Sequence, residues 1–172
     1  VTGTDEHHPY VNNDAYTNYC VAFVLKRFIE LCDEFNFDIS GEERRELSDV
    51  ASRLYLPKTA SGLIPQFDGY FSLSRSLEEA GKGTLKQFQM KKSGLYHKSQ
   101  VIKQPDVVLL YTLADVGLPR SSYAENWDYY EQMCETSSSL TFPVHAIASA
   151  HNRRMLSFYN YFMDALKIDV SD

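Results

Sequence analysis

Cysteine is scarce in this chain. Its 172 residues hold three, Cys20, Cys32 and Cys134. An odd number without CxxC spacing argues against both a disulfide framework and a zinc site, and reduced thiols in the cytoplasm are the simplest reading. An apolar run of transmembrane length is missing, as is a signal-peptide pattern. Positive charge is in deficit: 17 Lys and Arg against 23 Asp and Glu give a formal net charge of -6. That balance argues against a nucleic-acid partner, whose phosphates would be repelled. Fixed-period repeats are absent, and strand-like alternation is confined to the loop around residue 65. Neither end carries a boundary signal. The chain opens on Val1 rather than Met and closes on Ser171-Asp172, so both ends read as cut.

What is present points to a helical, well-packed protein. Hydrophobic residues make up 44% and aromatic residues 13%, with 12 Tyr and 10 Phe. Most of these aromatics, and the single Trp127, read as core rather than as sugar platforms. After a polar, turn-rich stretch over 1–15, Asn13 or Asp14 is placed to cap a helix over Ala15–Phe35, where Val21, Val24, Leu25, Phe28, Ile29 and Cys32 recur at helical spacing. Ser40 caps a second helix running to about Leu56, before Pro57. Its Glu42 and Glu43 sit in the first turn, where the macrodipole favours anions. Residues 57–73 read as a long loop or short hairpin, and 74–100 as irregular with a short helix around Leu77. Further helices are expected from Pro105 to near Gly117, over Tyr123–Cys134, Leu140–His151 and Met155–Ile168. Pro143 is tolerable only in a first turn. Helices with wide apolar faces joined by long loops suit a helical barrel whose loops build a site at one end.

Three polar clusters carry possible chemistry. Asp5-Glu6-His7-His8 offers two carboxylates and two imidazoles. By composition it is most often a solvated loop, then a general acid; a metal patch is the weakest option, because no second ligand set has standard spacing. Lys103-Gln104 precedes a helix start and on its own is a surface pair. Ser137-Ser138-Ser139 also precedes a helix, as an N-cap with spare hydroxyls or as an anion site.

Taken in order, TGTDEHHPYVNNDAYTN, QFDGYF, VIKQPDVV, NWDYYE, SSSLTFPVHAI and FYNYFMDALKIDV resemble glycoside hydrolase family 65 over nearly the whole chain. The family holds maltose, kojibiose, nigerose and trehalose phosphorylases and some hydrolases. The resemblance implies an all-α fold, with residues 1–172 forming about half of an (α/α)6-barrel catalytic domain, its C-terminal half. A β-sandwich, the first barrel helices and a tryptophan-bearing glucose motif would lie upstream, and a phosphate-contacting histidine loop downstream.

It also implies roles. Glu6 matches the general acid. A glycosidic oxygen leaves poorly unless protonated, and one carboxylic acid can supply that proton. Lys103 and Gln104 match residues that hold the glucosyl unit, and Ser138 and Ser139 match paired phosphate-binding serines. The implied reaction is inverting phosphorolysis of an α-linked glucose disaccharide to β-glucose 1-phosphate and a free sugar. Inorganic phosphate is the co-substrate, with no cofactor, no metal, no nucleic acid and no membrane. The resemblance further implies a homodimeric full-length parent in the cytoplasm. The alternatives are an α-glucoside hydrolase on the same barrel, which would need a second carboxylate to activate water, and a non-catalytic helical module. Thr4 stands where the family often has Pro, His7 where it has Tyr, Pro105 where an alanine is common, and Thr136 where a histidine is frequent.

Overall fold

The fold described here is a computed structural model, covering residues 3–78, 94–113, 117–168 and 170. Six α-helices stand among them, with short 3-10 turns and no strands: α1 (Ala15–Glu34), α2 (Gly41–Arg53), α3 (Asp106–Leu113), α4 (Tyr123–Met133), α5 (Thr141–His151) and α6 (Met155–Lys167).

Local chemistry sets the helix ends. Asp14 caps α1, its carboxylate accepting the Thr17 N–H at 2.7 Å. At the far end Asn36 takes a left-handed conformation (φ 51). The Phe37 N–H then donates to the Cys32 carbonyl at 2.8 Å, a Schellman closure that spares the last carbonyls. Ser40 and Glu43 form a reciprocal capping box on α2, at 3.1 and 2.9 Å, satisfying two otherwise orphaned N–H groups. α2 ends at Arg53 rather than near Leu56, because Leu54 already turns extended (ψ 131). The expected hairpin is a loop with a tight turn, in which Thr59 N–H donates to the Leu63 carbonyl at 2.8 Å and Gly62 N–H to the Thr59 carbonyl at 3.1 Å. The helix expected around Leu77 lies largely outside the described residues, as does the end of α3 before Gly117.

α3 is the hub. Val107, Val108, Leu110 and Tyr111 are buried, and the helix packs against α1, α4 and α5. Burying both faces explains its nearly uniform apolar sequence. The core continues through Ile64, Phe67, Tyr70, Ile102, Trp127 and Tyr130. Tyr70 stacks on Tyr130 at 5.6 Å, and each hydroxyl finds a backbone carbonyl, of Gln100 and Ile64 respectively. α5 and α6 form a hairpin, closed by left-handed Arg153 (φ 57) and a 2.9 Å bond from Arg154 N–H to the Ser149 carbonyl. Pro143 falls in the first turn of α5.

Two apolar faces stay uncovered. α6 leaves Met155, Leu156, Tyr159, Phe162 and Leu166 exposed, and α1 leaves Val21, Val24 and Phe28 exposed. All three cysteines are free thiols. Among the described residues no helix is long and apolar enough to cross a membrane.

Candidate functional site

Loops 3–14, 99–105 and 134–140 meet at one end of the helices. There α1, α3 and α5 begin and α4 finishes. Short parallel backbone bonds lace the last two loops together: Ile102 N–H donates to the Met133 carbonyl at 3.0 Å, and Glu135 N–H to the Ile102 carbonyl at 2.8 Å.

The DEHH run is not a solvated loop. Asp5, His7 and His8 are buried, and only Glu6 stands in solvent. Asp5 explains why. Its carboxylate accepts the N–H of His7 at 3.1 Å, the N–H of Lys103 at 2.9 Å and the Gln66 amide at 2.9 Å. It also pairs with His8 Nδ1 at 2.6 Å. The other His8 nitrogen, Nε2, meets the Ser99 carbonyl at 2.8 Å; a carbonyl only accepts, so Nε2 carries the proton there. Burial pushes the Asp5 carboxyl up, but the His8 bond and charge, with the N–H groups of Lys103 and His7, outweigh it and hold it below its ordinary value. The two histidines diverge: His7 Nε2 lies 3.0 Å from Glu135 Oε2. Among the described residues no group of acids, histidines and cysteines can hold a metal ion.

Asp106, in the first turn of α3, returns the tie. It accepts the N–H of Thr4 at 3.1 Å, the N–H of Asp5 at 3.2 Å and the Thr4 hydroxyl. The two segments are thus clasped reciprocally by the side chains of Asp5 and Asp106. Burial, then the nearby charges of Asp5 and Asp14, push Asp106 up to about 7, against the opposing Thr4 bond. Gly3 is required beside it, since a Cβ there would lie 2.5 Å from Asp14 Oδ2 and 2.8 Å from Asp106 Oδ2.

Four of the five residues singled out from the sequence fall into two pairs, with Ser139 outside them. Lys103 Nζ contacts Glu6 Oε2, with the Glu6 side chain 66% exposed and that of Lys103 23% exposed. Gln104 is buried and accepts the Ser138 hydroxyl at 3.2 Å. Ser138 also accepts the Leu140 N–H at 3.3 Å, while Ser139 is exposed. No hydroxyl caps α5 directly; its cap position is Leu140. Trp127 is buried, as expected of a core residue. A cleft of about 130 Å³ lined by Tyr111, Arg120, Tyr123, His151 and Asn152 lies away from Glu6, towards the opposite ends of α3 and α5.

Sequence reasoning missed Asp106, Gln66, Tyr96 and Glu135. Asp106 had a signal, as an acid in a first helical turn. Glu135 had none, since it joins His7 across 128 residues.

These helices superpose on a solved structure from the human microbiome, provisionally named a kojibiose phosphorylase, with a TM-score of 0.80 at 22% identity over 100% of this chain and 24% of that one. At that identity the likeness establishes the fold, that of part of a helical barrel. The sequence profile of the glycosyl hydrolase family 65 central catalytic domain matches residues 1–172. The chain belongs to glycosyl hydrolase family 65. A 3-O-alpha-D-glucosyl-L-rhamnose phosphorylase of Lachnoclostridium phytofermentans is 59% identical over 100% of this chain and 24% of its own length. A nigerose phosphorylase of the same organism is 32% identical over 98% and 25%. The chain spans about a quarter of the length of these curated relatives.

Proposed function

We propose that residues 1–172 are part of the barrel of an inverting α-glucoside phosphorylase. Glu6 gives its proton to the glycosidic oxygen, and that oxygen leaves with the free sugar. A phosphate oxygen forms the new bond to C1 from the opposite face, giving β-glucose 1-phosphate. Phosphate is already an anion, so no base is required. Lys103 and Gln104 hold the glucosyl unit, and Ser138 and Ser139 hold phosphate beside the start of α5, where free N–H groups and the helix dipole favour an anion.

One observation carries the reading. Glu6 turns its carboxylate to solvent at this end, while Asp5, Asp106 and Glu135 are each engaged by donors from other loops. A hydrolase on the same barrel would need a second carboxylate to take a proton from water, whereas the paired hydroxyls of Ser138 and Ser139 favour phosphate as the nucleophile. The uncovered faces of α1 and α6 support membership of a larger barrel, and the free thiols suit a cytoplasmic setting. The step from 32% to 59% identity supports an acceptor like that of the 59% relative, a 6-deoxyhexose such as L-rhamnose.

The test is phosphate consumption by the full-length enzyme on 3-O-α-glucosyl-L-rhamnose, nigerose, kojibiose and trehalose. The first should turn over fastest, with equal amounts of phosphate lost and glucose 1-phosphate formed. Free glucose without phosphate loss would overturn phosphorolysis. Glu6→Gln should lower disaccharide turnover by at least about a hundredfold and spare α-glucosyl fluoride, whose leaving group needs no proton.

A further inference from the structure

The Glu135 carboxylate gathers donors from three separate segments. His7 Nε2 lies 3.0 Å from Oε2, the Tyr96 hydroxyl donates to Oε1 at 2.7 Å, and the Ser137 hydroxyl donates to Oε2 at 3.1 Å. The Glu135 backbone is pinned independently. Its N–H bonds the Ile102 carbonyl at 2.8 Å, and its carbonyl accepts the Thr141 hydroxyl at 3.3 Å. The carboxylate therefore has a fixed origin from which to hold its partners.

His7 is the partner that matters for chemistry. Its ring lies against Tyr96, centroids 3.8 Å apart, and its N–H is held by Asp5. Glu6 sits between Asp5 and His7. One neighbour is anchored by Asp106 through its N–H, the other by Glu135 through its ring. The backbone carrying the Glu6 carboxyl is thus fixed from both sides.

We propose that Glu135 is a positioning residue: through His7 it aims the Glu6 carboxyl and ties the acid loop to the serine loop, while Ser137, in its own loop, steadies the carboxylate. This rests on the reading of Glu6 as the acid. Burial pushes the Glu135 carboxyl up, yet the bonds from His7 and Tyr96, the His7 charge and the Ser137 bond bring it below its ordinary value. It is ionised at neutral pH, with both oxygens accepting. An amide has one accepting oxygen, so Gln at this position must turn its NH2 either towards the Tyr96 hydroxyl or towards the His7–Ser137 side.

Glu135→Gln in the full-length enzyme tests this. Misplacing a reacting group by about 1 Å costs up to about a hundredfold. Turnover of the disaccharide should therefore fall at least about tenfold more than turnover of α-glucosyl fluoride, which needs no acid. Tyr96→Phe removes a single donor and should move the same ratio in the same direction by less, and it carries the readout if Glu135→Gln folds poorly. Equal losses on both substrates, in both variants, would make Glu135 mere structural support and overturn the proposal. Glu6→Gln measured alongside separates the two ideas. If it shifts the ratio while the Glu135 and Tyr96 variants do not, positioning alone falls. If it too leaves the ratio unchanged, the acid reading falls, and positioning with it. The ratio can be read whether phosphate or water is the nucleophile.

Discussion

Replacing Asp106 by Asn should stabilise the protein at alkaline pH. The Asp106 side chain is fully buried, and burial together with the charges of Asp5 and Asp14 raises it from its ordinary 3.8 to about 7. That rise corresponds to a penalty of about 4 kcal/mol on the ionised form. The folded state keeps the proton up to about pH 7, whereas the unfolded chain gives it up near pH 4. The stability the proton lends is full below about pH 4 and is lost as pH climbs through 7. Asn imitates the protonated form. Its Oδ1 can accept the N–H groups of Thr4 and Asp5, and its NH2 can face the Thr4 hydroxyl, which accepts as well as donates. Urea denaturation of the full-length wild type and Asp106→Asn, at pH 5 and pH 8, measures the difference. The variant should gain up to about 4 kcal/mol at pH 8, and the gain should shrink towards zero as pH approaches 4. A variant less stable than wild type at pH 8 would refute the reasoning, since it would mean that the charge itself is what Thr4 and Asp5 require.

The serines should separate by role. Ser139→Ala is expected to raise the KM for phosphate at least about tenfold, a hydrogen bond to a charged group being worth about 1.5–3 kcal/mol, with little change in melting temperature. Ser138→Ala should raise that KM and also lower the melting temperature, because the Leu140 N–H then loses its acceptor; unchanged phosphate KM values in both variants would remove the phosphate assignment. His145, buried between Trp127 and Tyr161 with neither ring nitrogen bonded, is held down to about 4 by burial. The unfolded chain takes up this proton near pH 6.5 and the folded one only near 4, so about 3 kcal/mol of stability drains away as pH falls between them. In His145→Leu that part of the acid sensitivity should vanish, and an unchanged pH profile of denaturation would show that the ring is not the source.

Much of the fold was legible because it is local. The 3.6-residue recurrence over α1, Ser40 as the cap of α2, Asp14 as one of two candidate caps of α1 and Pro143 in a first turn depend on neighbours within a few positions, and each is found where the sequence puts it. Helix ends were less certain, as α2 shows, since a backbone turn at Leu54 outweighs the wait for Pro57. Glu6, Lys103, Gln104, Ser138 and Ser139 stand out as candidates only through the combined motifs, for no single pair has a telling spacing. Composition by itself made Asp5-Glu6-His7-His8 a solvated loop. Tertiary structure decided otherwise, because Asp5 draws on N–H groups up to 98 residues away and His7 on a carboxylate 128 away. A carboxylate's surroundings, and hence whether it is a buried tie held low like Asp5, a buried tie pushed up like Asp106 or an exposed carboxyl like Glu6, are set by which loops meet at the helix ends. That meeting is a long-range packing outcome that no local pattern encodes.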